Sequence, residues 1–262
     1  MMVKKLSLKL LKTSFILLPS ILFGQEWKHV SSPEINSTPT AFSVDLQNNF
    51  YLGFSDGRIT KYDNKGSEKQ TFSLSNQVPV SLIEAQNSLK LFAFNFDNQR
   101  ITFLDRFSAI PKSYFLAEYN TSLGMMACPS PDGNVWVAEN NPRRLRKIDL
   151  LRQQTILEIQ TSLGDSIQFM RTLQNLLILS DENGVHVFDQ FGSKEHFVKA
   201  GNVNFIQTID DNILFSSNQD IIIINPYDGQ VIEQYTSPVN DTKVVIKLKG
   251  RYLFIGKSIE LY

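Results

Sequence analysis

Cysteine occurs once in the 262 residues, at position 128. That excludes an intramolecular disulfide in any compartment, and with it the zinc frameworks built from cysteine pairs. Cys128 sits among Met125, Met126, Ala127 and Pro129, so it is expected to pack as a small apolar side chain in a strand rather than to act as a reactive thiol. Histidine is almost as scarce. The three residues, His29, His186 and His196, show no metal-ligand spacing, and neither a nucleophile elbow nor a glycine-rich phosphate loop is present. An excess of one charge is missing too, because 26 basic residues face 26 acidic ones. Long apolar runs are also missing. A membrane span needs roughly 20 apolar residues, and the run at 14–23 falls short and contains Pro19.

That short run reads as an address. Lys4, Lys5, Lys9 and Lys12 precede it, Ser14, Pro19 and Ser20 are its only interruptions, and Gly24 offers a small residue for cleavage. This is the pattern of a secretory signal peptide, bacterial in character. The expected organisation is a leader over residues 1–24 and one domain over 25–262. Phe23-Gly24-Gln25 lacks the cysteine that a lipid anchor needs, so a soluble periplasmic or secreted protein is expected, with no transmembrane segment after cleavage. Loss of the four leader lysines leaves 22 basic against 26 acidic residues, a net charge of −4. That balance argues against nucleic acid or a polybasic membrane contact as partner.

The rest of the chain repeats one unit. Residues 40–74, TAFSVDLQNNFYLGFSDGRITKYDNKGSEKQTFSL, read as four short strands separated by Asn, Asp and Gly turns. Strands this short cannot bury their faces alone, so the unit must stack on copies of itself. Similar units run over 80–116, 124–159, 166–198 and 203–235, and a sixth begins near 243 and stops one strand short. The Asp or Asn closing each third strand falls at 63, 105, 149, 189 and 225, at intervals of 42, 44, 40 and 36 residues. Runs such as LLIL and IIII are apolar on both sides, as sheets sandwiched between other sheets require. Residues 26–30, a lone β-like segment carrying Trp27, are expected to supply the missing fourth strand of the sixth unit. The predicted fold is an all-β, six-bladed propeller of four-stranded antiparallel blades.

The stretch SPDGNVWVAENNPRRLRKID, residues 130–149, resembles one repeat of the NHL, regucalcin and streptogramin-lyase type, and the chain from 25 onward resembles the six-bladed TolB-like superfamily. The resemblance implies a fold and leaves the activity open. Enzymes of this kind work at the central shaft. Regucalcin-like lactonases hold a divalent ion there with carboxylate and amide oxygens, and streptogramin lyases need a histidine near a glutamate and a metal. The first strands of this chain offer Glu84, Gln168 and Gln207, but Glu84 falls at the tail of its strand and Gln168 at the head of its own. The three histidines fall on third or fourth strands, away from the shaft. No catalytic residue, metal site or cofactor is therefore expected.

Five basic residues, Arg58, Arg100, Arg143, Arg144 and Lys257, fall in the loops joining second and third strands, on the face where the first strands begin. They form a candidate binding rim for an acidic partner; solvated charges that guard hairpin turns are the plainer account of the same residues. The triplets at Asn36, Asn120 and Asn240 match a glycosylation pattern that has little meaning behind a bacterial leader. The expected function is a non-enzymatic binding or scaffold propeller of the bacterial cell envelope, monomeric, with a protein partner. The alternatives are a metal-dependent lactonase- or lyase-type enzyme, or a sensory domain acting through a separate partner.

Overall fold

The computed structural model describes residues 26–74, 77–87, 89–105 and 111–262. The expected leader lies outside the described residues. Blade one holds β1 (Ala41–Val44), β2 (Phe50–Gly53), β3 (Arg58–Tyr62) and β4 (Glu68–Ser73). Blade two holds β5 (Leu82–Glu84), β6 (Lys90–Asn95), β7 (Arg100–Asp105) and β8 (Lys112–Phe115), followed by a 3-10 turn at Leu116–Tyr119. Blade three holds β9 (Gly124–Pro129), β10 (Val135–Asn140), β11 (Arg143–Asp149) and β12 (Gln154–Gln160). Blade four holds β13 (Phe169–Leu173), β14 (Leu176–Ser180), β15 (Gly184–Asp189) and β16 (Lys194–Lys199). Blade five holds β17 (Ile206–Ile209), β18 (Asn212–Ser217), β19 (Asp220–Ile224) and β20 (Val231–Thr236). Blade six holds β21 (Val244–Leu248), β22 (Arg251–Ile255) and β23 (Ile259–Leu261). Each sheet is an antiparallel meander in chain order, and the chain is a six-bladed propeller.

The recurring Asp or Asn at the end of the third strand has a local cause. Asp63 Oδ1 accepts from the backbone N–H groups of Lys65 (2.9 Å) and Ser67 (3.0 Å). Asp189 Oδ1 accepts from Phe191 and Ser193, both at 2.8 Å. Asp149 and Asn225 do the same for the turns after β11 and β19. A short side chain that captures the turn's own donors stabilises the reversal into the fourth strand. In blades one, three, four and five the pairing of third and fourth strands also shifts register just before this residue. A bulge there twists the outermost strand away from its neighbour.

A second device repeats where the second strand ends. A polar side chain at or next to its end binds the loop leading into the first strand of the same blade. Asn95 Nδ2 donates to the Pro79 carbonyl (2.8 Å), Ser122 Oγ donates to Glu139 (2.9 Å), Gly164 N donates to Asp181 (2.8 Å), and Gly201 N donates to Ser217 Oγ (3.0 Å). Loop backbone that runs over a buried sheet edge needs such partners. Burial falls from the axis outward. β2 and β14 are buried at every position, whereas β4 and β12 have no buried position.

At the sixth blade the structure departs from the expectation. Residues 26–30 form no strand, and the sixth sheet has three. The contact is one antiparallel bridge between Ser31 and Leu261, with Val30 N (2.7 Å) and Ser31 N (3.3 Å) both donating to the Leu261 carbonyl and Leu261 N donating to Ser31 O (2.8 Å). This register sets Pro33 opposite the start of β23, where a ladder needs an N–H that proline lacks. It also sets Val30 opposite Tyr262. Side-chain packing holds Trp27 instead, against Tyr252 and Phe254 at 5.2 Å between ring centres.

Candidate functional site

Neighbouring first strands do not pair with one another, so the polar backbone atoms around the axis need side-chain partners. Ala85 N donates to Ser43 Oγ (3.0 Å), and Thr172 Oγ1 donates to the Pro129 carbonyl (2.9 Å). The Gln207 amide pairs with both backbone groups of Lys247, at 2.8 and 2.7 Å. Gln86 reaches Thr208 across the shaft.

The centre is held by an ion pair. Arg171 of β13, 1% exposed, donates from Nη2 (2.6 Å) and Nε (3.2 Å) to Glu84 Oε2, and from Nη1 to the Ile206 carbonyl (2.7 Å). Its guanidinium stacks near the rings of Phe169 and Phe205. Those two rings are 5.1 Å apart, and Phe42 packs on Phe205 at 6.2 Å, so the three form an aromatic layer over the guanidinium. Glu84, Gln168 and Gln207 therefore do not converge: Glu84 is held by Arg171, Gln207 by blade six, and Gln168 lies at the mouth. Among the described residues no group of three His, Cys, Asp or Glu side chains is placed to hold a metal ion. Cys128 is fully buried beside this pair. Burial pushes its thiol well above the usual range, and the Glu84 charge adds to that. Arg171 escapes a sequence reading that ends the strand at Met170, because an arginine there resembles the start of a solvated turn.

Above the aromatic layer the shaft opens into a cavity of about 220 Å3. Its wall includes Thr38, Phe42, Ser81, Gln168, Phe169, Asn204 and Lys243, contributed by blades one, two, four, five and six and the segment before β1. No carboxylate of the described residues lines it.

The five rim cations stand on the same face as this mouth, and each has a partner. Arg58 pairs with Asp56 (2.6 Å), Arg143 with Asp165, and Lys257 with Asp241 (2.7 Å). Arg144 lies between Glu139 (2.8 Å) and Glu158 (2.9 Å), and Arg100 donates to Ser113 Oγ (2.6 Å). Four of the five stand in ion pairs, in blades one, three and six. The opposite face, formed by the turns between first and second and between third and fourth strands, differs. Leu46, Leu89, Leu151, Phe191 and Tyr227, one from each of five blades, are 42–78% exposed there. A single apolar residue in a polar turn gives no signal in a sequence; only the ring places the five on one side.

The histidines lie outside the shaft. His29 contacts Ser32 (3.2 Å), and His196 contacts the Tyr227 carbonyl. His186 of β15 is buried, with Nε2 2.9 Å from Asp181. Burial lowers its pKa and outweighs the opposing pull of Asp181, whose carboxylate also accepts from the N–H groups of Gly164, Asn183 and Gly184. The unfolded chain therefore binds the proton first as pH falls. The contribution is complete above about 6.5, the ordinary histidine value, and is lost as pH falls through the lower folded value. Acid melting curves should show Tm declining below about pH 6.5 in the wild type, at about 2–4 °C per kcal/mol lost. His186→Gln should lack this limb and keep the steeper loss below pH 4, where Asp63 and Asp132, both held at about 2, take up protons. Parallel profiles for the two proteins would refute the assignment.

No family model matches the chain, and no curated protein does. Solved structures match the fold. The β-propeller domain of Myceliophteria thermophila Cps50 (Swd1) has a TM-score of 0.62 at 14% identity, covering 85% of this chain and 81% of that one. Virginiamycin B lyase from Staphylococcus aureus has a TM-score of 0.59 at 15% identity, covering 90% and 87%. BamB from Moraxella catarrhalis has a TM-score of 0.50 at 13% identity, covering 86% and 83%. At such identities the likeness is one of fold, and the class defined is that of six-bladed β-propellers.

Proposed function

We propose that the protein is an exported, non-enzymatic binding propeller of the bacterial cell envelope that docks a protein partner. The observation that carries this reading is the set of exposed apolar side chains, Leu46, Leu89, Leu151, Phe191 and Tyr227, at turn tips on one face of a rigid ring. Large apolar groups held out by turns favour contact with a partner's apolar surface. The leader-like residues 1–24 support export. The lactonase- or lyase-type reading needs convergent oxygen ligands at the shaft, and Glu84 there is committed to Arg171. The basic rim is the second surface of the proposal; an acidic partner would exchange with the carboxylates now paired to Arg58, Arg143 and Lys257.

The test is crosslinking in a bacterial host of the full chain, followed by recovery from the envelope fraction. The recovered protein should begin near residue 25. Leu151→Ser with Phe191→Ser should weaken partner capture about 30-fold, as loss of a hot spot does, and leave Tm unchanged. Neutralising Arg58, Arg143 and Lys257 together should change it little. The reverse pattern would move docking to the rim, and recovery of an uncleaved chain from the cytoplasm, with no specific partner, would sink the reading.

A further inference from the structure

We infer that the cavity at the mouth of the shaft is a binding site for a small organic carboxylate that also carries a hydroxyl or amino group. The inference goes beyond the partner-docking reading, because the cavity opens on the face opposite the apolar tips, and either can fail without the other.

Sign of charge comes first. Lys243 lines the cavity and is exposed, and among the described residues it has no ion-pair partner. The carboxylate whose charge it influences, Asp241, is already paired with Lys257 at 2.7 Å. With no acid among the described residues of the wall, the cavity is a cationic spot and favours an anion.

Hydrogen bonding comes second. The Gln168 side chain makes no hydrogen bond among the described residues, and its Oε1 is buried without a partner. An unsatisfied buried acceptor costs about 1–3 kcal/mol, and a small rotation of this amide toward the cavity would let a ligand hydroxyl or amino group relieve it. Thr38 Oγ1 and Asn204 Oδ1 are further cavity groups without partners among the described residues. By contrast Thr40 and Ser81 are engaged, Thr40 Oγ1 donating to the Val80 carbonyl (2.8 Å) and Ser81 Oγ accepting from Phe96 N (2.9 Å).

Shape and floor come third. The volume, about 220 Å3, lies below the ~300–1,000 Å3 of pockets for drug-sized ligands. Phe42 and Phe169 supply apolar wall, so the carbon skeleton of a small acid can rest on rings while its carboxylate reaches Lys243. The first strands and Arg171 fix these residues on rigid elements. The same two rings pack with Phe205 on the Arg171 side of the site, so its inner end is apolar.

Mandelate is a suitable probe, having a carboxylate, an adjacent hydroxyl and one ring, and 1-phenylethane-1,2-diol is its uncharged counterpart. Calorimetric titration of the full chain should show mandelate bound at least about tenfold more tightly than the diol, the worth of a charge-assisted hydrogen bond. Lys243→Met should abolish that difference. Gln168→Leu should weaken both compounds by a similar factor of about ten. Lys249→Met, an exposed residue of the turn between β21 and β22 on the opposite face, should leave both unchanged. Equal affinities for the two compounds, no heat with either up to about 10 mM, or unaltered mandelate binding by Lys243→Met would each overturn the assignment. Because Lys243 is exposed, its replacement leaves the fold intact, and a melting curve of each variant checks this.

Discussion

Replacing Arg171 with methionine should cost about 3–5 kcal/mol of stability, the usual penalty for leaving one member of a buried ion pair alone. Glu84 would remain 8% exposed with Oε2 stripped of both guanidinium contacts, and the Ile206 carbonyl would lose its donor as well. At about 2–4 °C per kcal/mol for a chain of this size, Tm should fall by roughly 6–20 °C. Glu84→Gln alone should be damaging for the mirror reason, since it strands a guanidinium among Phe169, Phe205 and Cys128. The double variant Arg171→Met, Glu84→Gln should recover most of the loss, because two neutral side chains of similar volume no longer need each other. Chemical denaturation of the four proteins measures the coupling. If the double variant is as unstable as the two single losses added together, the pair is not the cross-tie of the shaft. The tie links blades that are not neighbours: Glu84 belongs to blade two and Arg171 to blade four, with blade five joined through Ile206. The damage should therefore register as one cooperative loss rather than as fraying of a single blade.

Most of the ring is legible in the sequence because its repeat is written in turn chemistry. Asp63, Asp149, Asp189 and Asn225 are visible as a period near 40, and the structure shows why the period exists: each captures the donors of the turn that follows it. Doubly apolar runs such as Leu176–Ser180, buried throughout, are equally plain. The shaft is less legible. Its chemistry depends on which residue of a first strand points inward, and a shift of strand limits by a few residues, as at β13, hides the arginine that matters most. Glu84, Gln168 and Gln207 could be picked out by type, but type does not reveal that one meets a guanidinium, one meets a backbone and one meets a cavity. The rim cations are legible as a set, yet their partners Asp56, Asp165, Glu139 and Asp241 sit at varied sequence distances, so the pairing of charge emerges only in three dimensions.

The sixth blade gives the second large effect. Because one bridge at Ser31 is the only ladder contact between the N-terminal segment and β23 among the described residues, the attachment of that segment depends on Trp27. Its indole lies edge-on to Tyr252, Phe254, Tyr235 and Tyr262, and its N–H donates to the Thr236 carbonyl at 3.2 Å. Tyr235 and Thr236 belong to blade five and the other rings to blade six or the residue after it, so the indole is a wedge between two blades. Full truncation of a core tryptophan or phenylalanine costs about 3–5 kcal/mol. Trp27 is only half-buried, so Trp27→Ala should cost about 2–3 kcal/mol, and Trp27→Phe should recover part of it by keeping an edge against Phe254. Hydrogen exchange separates this loss from a general one. The mutual backbone bonds of Tyr252 and Tyr262, at 2.8 and 2.9 Å, should open earlier in Trp27→Ala, while amides of β10 and β14 exchange as before. The chain has two tryptophans, and Trp136 is 1% exposed in blade three, so Trp136 fluorescence in the variant reports whether the remaining blades stay folded. Unchanged exchange at Tyr252 and Tyr262 would mean that the single bridge suffices and that the indole is a passenger.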